Sequence, residues 1–395
     1  MSTPGIFLAA PVRTPIGRFG GGLASLSGAE LGGVAARESI RRAGIDPAEI
    51  GYAVFGNARQ AGGGPNPARQ IGRRAGLPDA SPAFTVNMAC ASGLQAILSA
   101  AQVVKEGDAE IVLAGGAESM SRVPYLLDRA RFGYRLGNAE VVDGMYRDGF
   151  LCPLCDQLMG ETAETLADRY GIPRAEQDAF AAESQRKCEE ARREGRFRDE
   201  IVAVDAPDAK GRSARIEADE HPRDGVTAAS LANLPPVFRK DGTVHAGNSS
   251  GITDGAAALL VLSEKAAART GIRPFARLVA HASAGVDPAI MGIGPVPAVK
   301  RLEERAGVRL ADIDLVELNE AFAAQVLACD RELRFDPARL NVNGGSIALG
   351  HPIGATGSRI VVTLLHEMRR RSARLGLATL CVSGGMGYAM LLERV

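Results

Sequence analysis

Apolar residues recur in two registers along this chain. Short β-rich runs such as Ala53-Val54-Phe55 and Leu315-Val316-Glu317-Leu318 predict buried strands. Between such runs lie stretches with helical spacing. Over residues 91–104, Leu94, Ile97, Leu98, Ala101 and Val104 mark one helix face, and residues 360–368 continue a helix of the same kind. Alternating strand and helix predicts an α/β fold whose sheets are covered on both faces.

The pattern also repeats. Arg42-Ala43-Gly44-Ile45, followed by Ala48-Glu49-Ile50, returns as Arg305-Ala306-Gly307-Val308, followed by Ala311-Asp312-Ile313. Phe84-Thr85-Val86-Asn87 returns as Leu340-Asn341-Val342-Asn343, and Ala91-Ser92-Gly93 as Ala355-Thr356-Gly357. The strand-like stretch 109–113, ending in Gly115-Gly116, returns as 378–382, ending in Gly384-Gly385. The shared order predicts two halves of similar fold. Between Asn343 and Ala355 the second half carries extra loop, and that loop holds His351.

Residues 121–248 break this rhythm. They are rich in Arg, Asp and Glu and predict helices of their own at 161–170 and 175–195. In the second, Asp178, Glu183, Lys187, Glu190 and Arg193 form the expected polar face, with Phe180, Ala181 and Ala191 apolar. The segment reads as an insertion in the first half, which resumes near Ser249 with the run 255–261.

Composition narrows the function without naming it. The formal net charge is +0, so neither nucleic acid nor an anionic membrane is expected as the bulk partner. No apolar run approaches the ~20 residues of a membrane span. Residues 1–7 lack a basic region followed by an apolar stretch, and the last residues are not the usual peroxisomal address, so the cytoplasm is expected. The six cysteines are spread along the chain without a disulfide-like framework. Cys152-Pro153-Leu154-Cys155 is a lone CxxC with no second pair to complete a zinc site, and it reads as reduced thiols in a loop. No metal is expected.

Three reactive side chains sit among small residues: Cys90 in Asn87-Met88-Ala89-Cys90-Ala91-Ser92-Gly93, His351 in Gly350-His351-Pro352-Ile353-Gly354, and Cys381 in Cys381-Val382-Ser383-Gly384-Gly385. Gly, Ala and Ser let a substrate approach the backbone. Cys90 follows a strand and opens a helix, where free N–H groups would favour a thiolate; by itself it could equally be a buried core cysteine. His351 lies in a Gly/Pro loop that is not a phosphate-binding P-loop. His366-Glu367 is half of a zinc-protease motif, but Arg370 stands where the second histidine would be. His221, His245 and His281 have no role at this level and are expected to be structural or exposed. Asn319, after the strand 315–318, could cap a helix or hold a water. The combination suggests acyl transfer followed by carbon acid–base chemistry.

These motifs, with Pro11-Val12-Arg13-Thr14-Pro15-Ile16-Gly17 and the run 246–255, resemble the thiolase family over essentially the whole chain, and its biosynthetic acetyl-CoA acetyltransferases most closely. The resemblance implies duplicated βαβαβαββ halves in a five-layered αβαβα core, with residues 1–120 and 249–272 as one half, 273–395 as the other and 121–248 as an inserted loop domain. It implies Cys90 as acylated nucleophile, His351 as its base, Cys381 as the base toward a second acyl-CoA and Asn319 as holder of a water. The oxygen of the first thioester would fall to His351 and Asn319, and the second oxyanion to backbone N–H groups of Cys90 and Ser383. Ser250 would lie near pantetheine, Arg223 and Ser230 near the nucleotide end, and Phe238, Phe322, Met159 and Met291 along the acyl tunnel. The implied reaction joins two acetyl-CoA into acetoacetyl-CoA and CoA, in a homotetramer that keeps no permanent cofactor. A degradative 3-ketoacyl-CoA thiolase is the alternative. A decarboxylating condensing enzyme would place histidine at Cys381, and a CoA-binding paralogue without activity would not need the full Cys-His-Cys-Asn set. Two positions depart from the family: Leu158 where histidine is usual, and Ser383 where glycine is usual, which narrows the backbone angles open there.

Overall fold

A computed structural model describes residues 5–207 and 211–395. Met1–Pro4, part of the stretch read above for a leader, lies outside them. One mixed sheet runs in the spatial order Leu315–Leu318, Leu375–Val382, Met386–Arg394, Pro274–Gly285, Ile6–Arg13, Thr253–Ser263, Ile111–Ser119, Tyr52–Gly56, Ala83–Val86. The middle of that order is a seam between two like halves. Ile6–Arg13 and Pro274–Gly285 pair antiparallel there, with Phe7 opposite Arg277 and Leu8 opposite Ala276.

On each side of the seam the chain follows the same path. Strand Ile6–Arg13, helix Gly28–Ala43, strand Tyr52–Gly56, helix Pro67–Arg74, strand Ala83–Val86, helix Ser92–Glu106 and strands Ile111–Ser119 and Thr253–Ser263 form the first half. Strand Pro274–Gly285, helix Pro295–Ala306, strand Leu315–Leu318, helix Ala323–Leu333, a single parallel bridge at Leu340, helix Ile353–Arg371 and strands Leu375–Val382 and Met386–Arg394 form the second. The bridge at Leu340 stands where the repeat matched Phe84 to Leu340. The extra loop before His351 is partly helical, over Ser346–Leu349.

Alternation along each strand builds the layers. Val112 and Ala114 face the central helices, whereas Ile111 and Leu113 face the helices Gly28–Ala43 and Pro67–Arg74. In the second half Met390 and Leu392 face the centre, and Ala389 and Leu391 face Pro295–Ala306 and Ala323–Leu333. Helices Ser92–Glu106 and Ile353–Arg371 form the middle layer between both sheet halves. The result is the αβαβα arrangement.

The two central helices touch at glycines. A Cβ on Gly93 would lie 2.7 Å from the Ser358 nitrogen, and one on Gly357 would lie 2.8 Å from the Leu94 Cβ. Neither position has room for a side chain.

The inserted segment is anchored by charge. Arg13 is fully buried and donates to Glu200 at 2.5 Å and to Asp219 at 2.7 Å. Helix Arg174–Arg193 differs from its predicted pattern: Asp178 is buried, bonded to Arg174, to Nε2 of His245 at 2.7 Å and to Asn248. His245 is thus a buried structural group rather than an exposed one.

Gly357→Val should lower stability by about 1–3 kcal/mol or more, the usual penalty for overpacking a tight core. Urea titration followed by circular dichroism would measure it. An unchanged midpoint would mean the helices can separate at no cost.

Candidate active site

Cys90 enters the site on a strained turn. Strand Ala83–Val86 ends, and a 3-10 turn over Ala89–Ala91 leads into helix Ser92–Glu106. Ala89 has φ +44°, a left-handed conformation for a residue with a side chain. Hydrogen bonds hold it: Ala89 N–H donates to Asn87 Oδ1, Met88 N–H to Ser92 Oγ, and Ser92 Oγ to the Ala89 carbonyl.

His351 meets the Cys90 thiol from the other half, with Nε2 at 3.3 Å from Sγ. Its Nδ1 lies 2.6 Å from the Thr356 hydroxyl, which donates to the Pro352 carbonyl at 3.0 Å. With that hydroxyl proton committed, Nδ1 is the donor and Nε2 is left as acceptor toward the thiol. Burial holds His351 neutral, with its pKa pushed down to about 3, and the nearby Arg359 and Arg59 charges act in the same direction.

Burial also decides the thiols. It raises Cys90 above its ordinary range, although Arg59 and the backbone N–H groups of Ser383 and Cys90 itself oppose it. The thiolate expected from helix position alone is therefore not the resting state. Cys381 ends strand Leu375–Val382, is completely buried beside Met291 and Phe322, and is held protonated by burial first and by Cys90 second.

Both cysteines and His351 open on one cavity of about 350 Å³. Met159, Phe238, Met291 and Phe322 form its apolar wall, with the Phe238 and Phe322 rings edge-to-face at 6.3 Å. Gly160 admits the Phe238 ring, because a Cβ there would collide with it. Ser250, Arg223, Leu158 and Ser383 also line the cavity. Ser383 is not among the non-glycine residues with positive φ, whereas Gly384 and Gly385 both have φ +86°. Serine is therefore accommodated without strain and keeps its N–H.

Asn319 is buried and is not among the residues that line this cavity. It does not cap the next helix, which begins at Ala323 after a cap residue, Phe322, that makes no side-chain bond. Its Oδ1 accepts from Ser346 Oγ at 2.6 Å, and Ser346 in turn accepts from Arg359 Nη2 at 3.0 Å. That relay turns Nδ2 of Asn319 into a buried donor with no protein partner, as a water-holding group requires. Ser230 is not brought in: it sits exposed on the short helix Ala228–Ala232, bonded to Thr227.

Three residues were not singled out by the sequence. His221 lines the cavity rather than lying idle at the surface; its Nδ1 donates to the Ala348 carbonyl at 2.8 Å. Arg59 also lines it, and its place after strand Tyr52–Gly56 was the available signal, since α/β sites gather at strand ends. Glu118 is buried and clamps the halves together, accepting from Asn57 Nδ2, Ala58 N–H, Arg59 N–H and Gly354 N–H. No motif pointed to it.

The family models "Thiolase, N-terminal domain" and "Thiolase, C-terminal domain" match residues 6–265 and 272–394. The chain belongs to the thiolase family. It is 51% identical over 389 residues to the Pseudomonas aeruginosa protein named acetyl-CoA acetyltransferase, covering 98% of this chain and 99% of that one. Among solved structures, the Bacillus anthracis acetyl-CoA acetyltransferase superposes with a TM-score of 0.97 at 44% identity, covering 100% of this chain and 99% of that chain. A human mitochondrial 3-ketoacyl-CoA thiolase in complex with CoA gives 0.96 at 40% identity, covering 100% and 98%.

Thr356→Val should slow alkylation of Cys90 by iodoacetamide on the order of 100-fold at neutral pH, because the imidazole loses the partner that orients it. Thr356→Ser should restore the rate. In the wild type, alkylation should still be climbing at pH 9, since the thiol is raised above its ordinary value of 9.0 and remains protonated below it. A plateau below pH 8 would contradict this ordering.

Proposed function

We propose that the chain is an acetyl-CoA C-acetyltransferase that reversibly condenses two acetyl-CoA into acetoacetyl-CoA and CoA. The observation that carries this is the 3.3 Å approach of His351 Nε2 to Cys90 Sγ, with Cys381 on the same apolar cavity. Neutral His351 takes the Cys90 proton as sulfur attacks the thioester. The backbone N–H groups of Cys90 and Ser383 act to lower the pKa of that sulfur, which supports giving them the oxygen of the group being attached to it. This reading places the two oxygens the other way round from what the resemblance implied. His351 and the water held by Asn319 are then left for the enolate oxygen of the second acetyl-CoA.

The raised thiol of Cys381 sets the proton order. As a thiol it cannot act as a base, so it first gives its proton to the departing CoA thiolate. The Cys381 thiolate then removes the α-proton of the second acetyl-CoA, and the carbanion attacks the acetyl group on Cys90. Cys90 leaves as thiolate and recovers its proton from His351. Atoms balance with one CoA thiol released per acetoacetyl-CoA formed.

Acetyl preference is supported by Met159, Met291, Phe238 and Phe322 around the two thiols. Residues 121–248 serve as the CoA-holding loop domain, with His221 and Arg223 at the mouth, between halves 1–120 plus 249–272 and 273–395. No helix among the described residues is long and apolar enough to cross a membrane. A cytoplasmic setting is supported by six cysteines that are all unpaired.

A homotetramer is supported by two surfaces. Strand Ala83–Val86 ends the sheet with an open edge, suited to pairing with a second copy. The hairpin of Tyr125–Leu126 and Val142–Asp143 carries Phe132 and Leu136 almost fully exposed, at 86% and 99%. Such apolar exposure marks a contact surface. Phe132→Asp with Leu136→Asp should convert tetramers to dimers in light scattering; a wild-type monomer at micromolar concentration would refute the assembly.

Incubation with acetyl-CoA should place one acetyl group on Cys90, detected by peptide mass spectrometry. Cys381→Ala should slow exchange of acetyl groups with CoA, because the leaving thiolate loses its proton donor, and should lose condensation more severely, by about 10²–10⁴-fold, the usual worth of a general base. Thiolysis efficiency should fall as the 3-ketoacyl chain lengthens. Equal efficiency on long chains would favour the degradative reading.

A further inference from the structure

A second cavity, of about 860 Å³, opens on the far side of the seam between the two halves. Ala10, Pro11 and Ile272 contribute from the first half, Phe275 from the second, and the last turn of helix Ile353–Arg371 closes one side. Its wall carries seven arginines, Arg41, Arg42, Arg196, Arg198, Arg273, Arg369 and Arg370, against one carboxylate, Asp199.

Part of this charge has an ordinary explanation. Arg41 and Arg42 end helix Gly28–Ala43, where cations suit the helix dipole, and both pair with Glu38. Arg370 pairs with Glu367, and Arg196 with Glu190 and Glu194. Three arginines remain. Arg198 and Arg273 lie outside helices, and their side chains make no hydrogen bond or ion pair among the described residues. Arg369 lies over the Phe275 ring at 4.5 Å and has no carboxylate partner. Like charges converging in a concave wall focus a positive potential and repel one another unless an anion sits between them. Guanidinium forks match phosphate oxygens, two at a time. The volume falls in the ~300–1,000 Å³ range of small-molecule sites, well above what a single inorganic ion fills. Phe275, under Arg369 and edge-on to His366 at 5.2 Å, gives this wall an aromatic floor.

We propose that this cavity binds a phosphate-bearing polyanion of nucleotide size, separate from the CoA-thioester cavity that holds Cys90. Such a ligand would touch both halves and should therefore stabilise the folded chain when bound.

Calorimetric titration of the whole protein with inorganic pyrophosphate, ADP, ATP and CoA tests it. At low salt ADP or ATP should bind saturably, weaken steeply as sodium chloride is raised, and lift the melting temperature. Arg198→Glu with Arg273→Glu should weaken that binding on the order of tenfold or more while acetoacetyl-CoA thiolysis is unchanged, because neither residue touches the catalytic cavity. Arg198→Ala with Arg273→Ala is the milder form should the charge reversal disturb folding. Arg223→Glu, at the mouth of the catalytic cavity, should leave ATP binding intact. Pyrophosphate binding as tightly as ATP would show that phosphate alone is read; CoA binding lost in the double variant would make CoA itself the source. Absence of saturable binding at millimolar ligand overturns the proposal. So does binding abolished by Arg223→Glu but retained by the double variant.

Discussion

The close crossing of helices Ser92–Glu106 and Ile353–Arg371 is the constraint on which the rest of the structure depends. Each helix begins beside one reactive group, Cys90 at the first and His351 at the second. Sulfur and nitrogen reach 3.3 Å only because the helix starts approach at Gly93 and Gly357, where a side chain on either would strike backbone or Cβ atoms of the other helix. Glu118 adds a polar lock at the same place, tying Ala58 and Arg59 of the first half to Gly354 of the second. Packing and polar satisfaction thus fix the same geometry twice.

Burial at that crossing then sets the proton inventory. Removing water disfavours every charged form, so His351 stays neutral and both thiols stay protonated. A site of three neutral groups can pass protons in sequence without holding a separated ion pair at rest. Arg59 and Arg359 shape this from outside the reacting atoms. Arg59 counters the rise at Cys90, while Arg359 disfavours imidazolium and, through Ser346, aims Asn319.

The inserted segment performs work that the duplicated core cannot. Its anchor is the fully buried pairing of Arg13 with Glu200 and Asp219, which would leave two unpaired carboxylates if the arginine were lost. From that anchor it supplies Met159, Phe238, His221 and Arg223 to the cavity wall and exposes the apolar arm around Phe132 and Leu136. One segment therefore both lines the cavity and carries the exposed apolar arm.

Periodicity and the repeated order of short motifs determined the α/β class and the duplication, the small residues around Cys90, His351 and Cys381 marked three candidate reactive groups, and the five layers were implied only by the resemblance to thiolases. These are local properties, written in neighbouring residues. The tertiary structure alone decided the properties that arise from distant residues meeting. It lowered the His351 pKa and raised the Cys90 thiol, because burial cannot be read from a loop or a helix start. It decided between the two readings of Asn319, which caps no helix and is aimed by Ser346 and Arg359, brought His221 and Arg59 to the cavity and left Ser230 outside it. It buried Asp178 against His245, although helical spacing placed that carboxylate on a solvent face. Glu118 shows the reason most plainly: its partners are about 60 and 236 residues away, and no window of sequence contains that bond network.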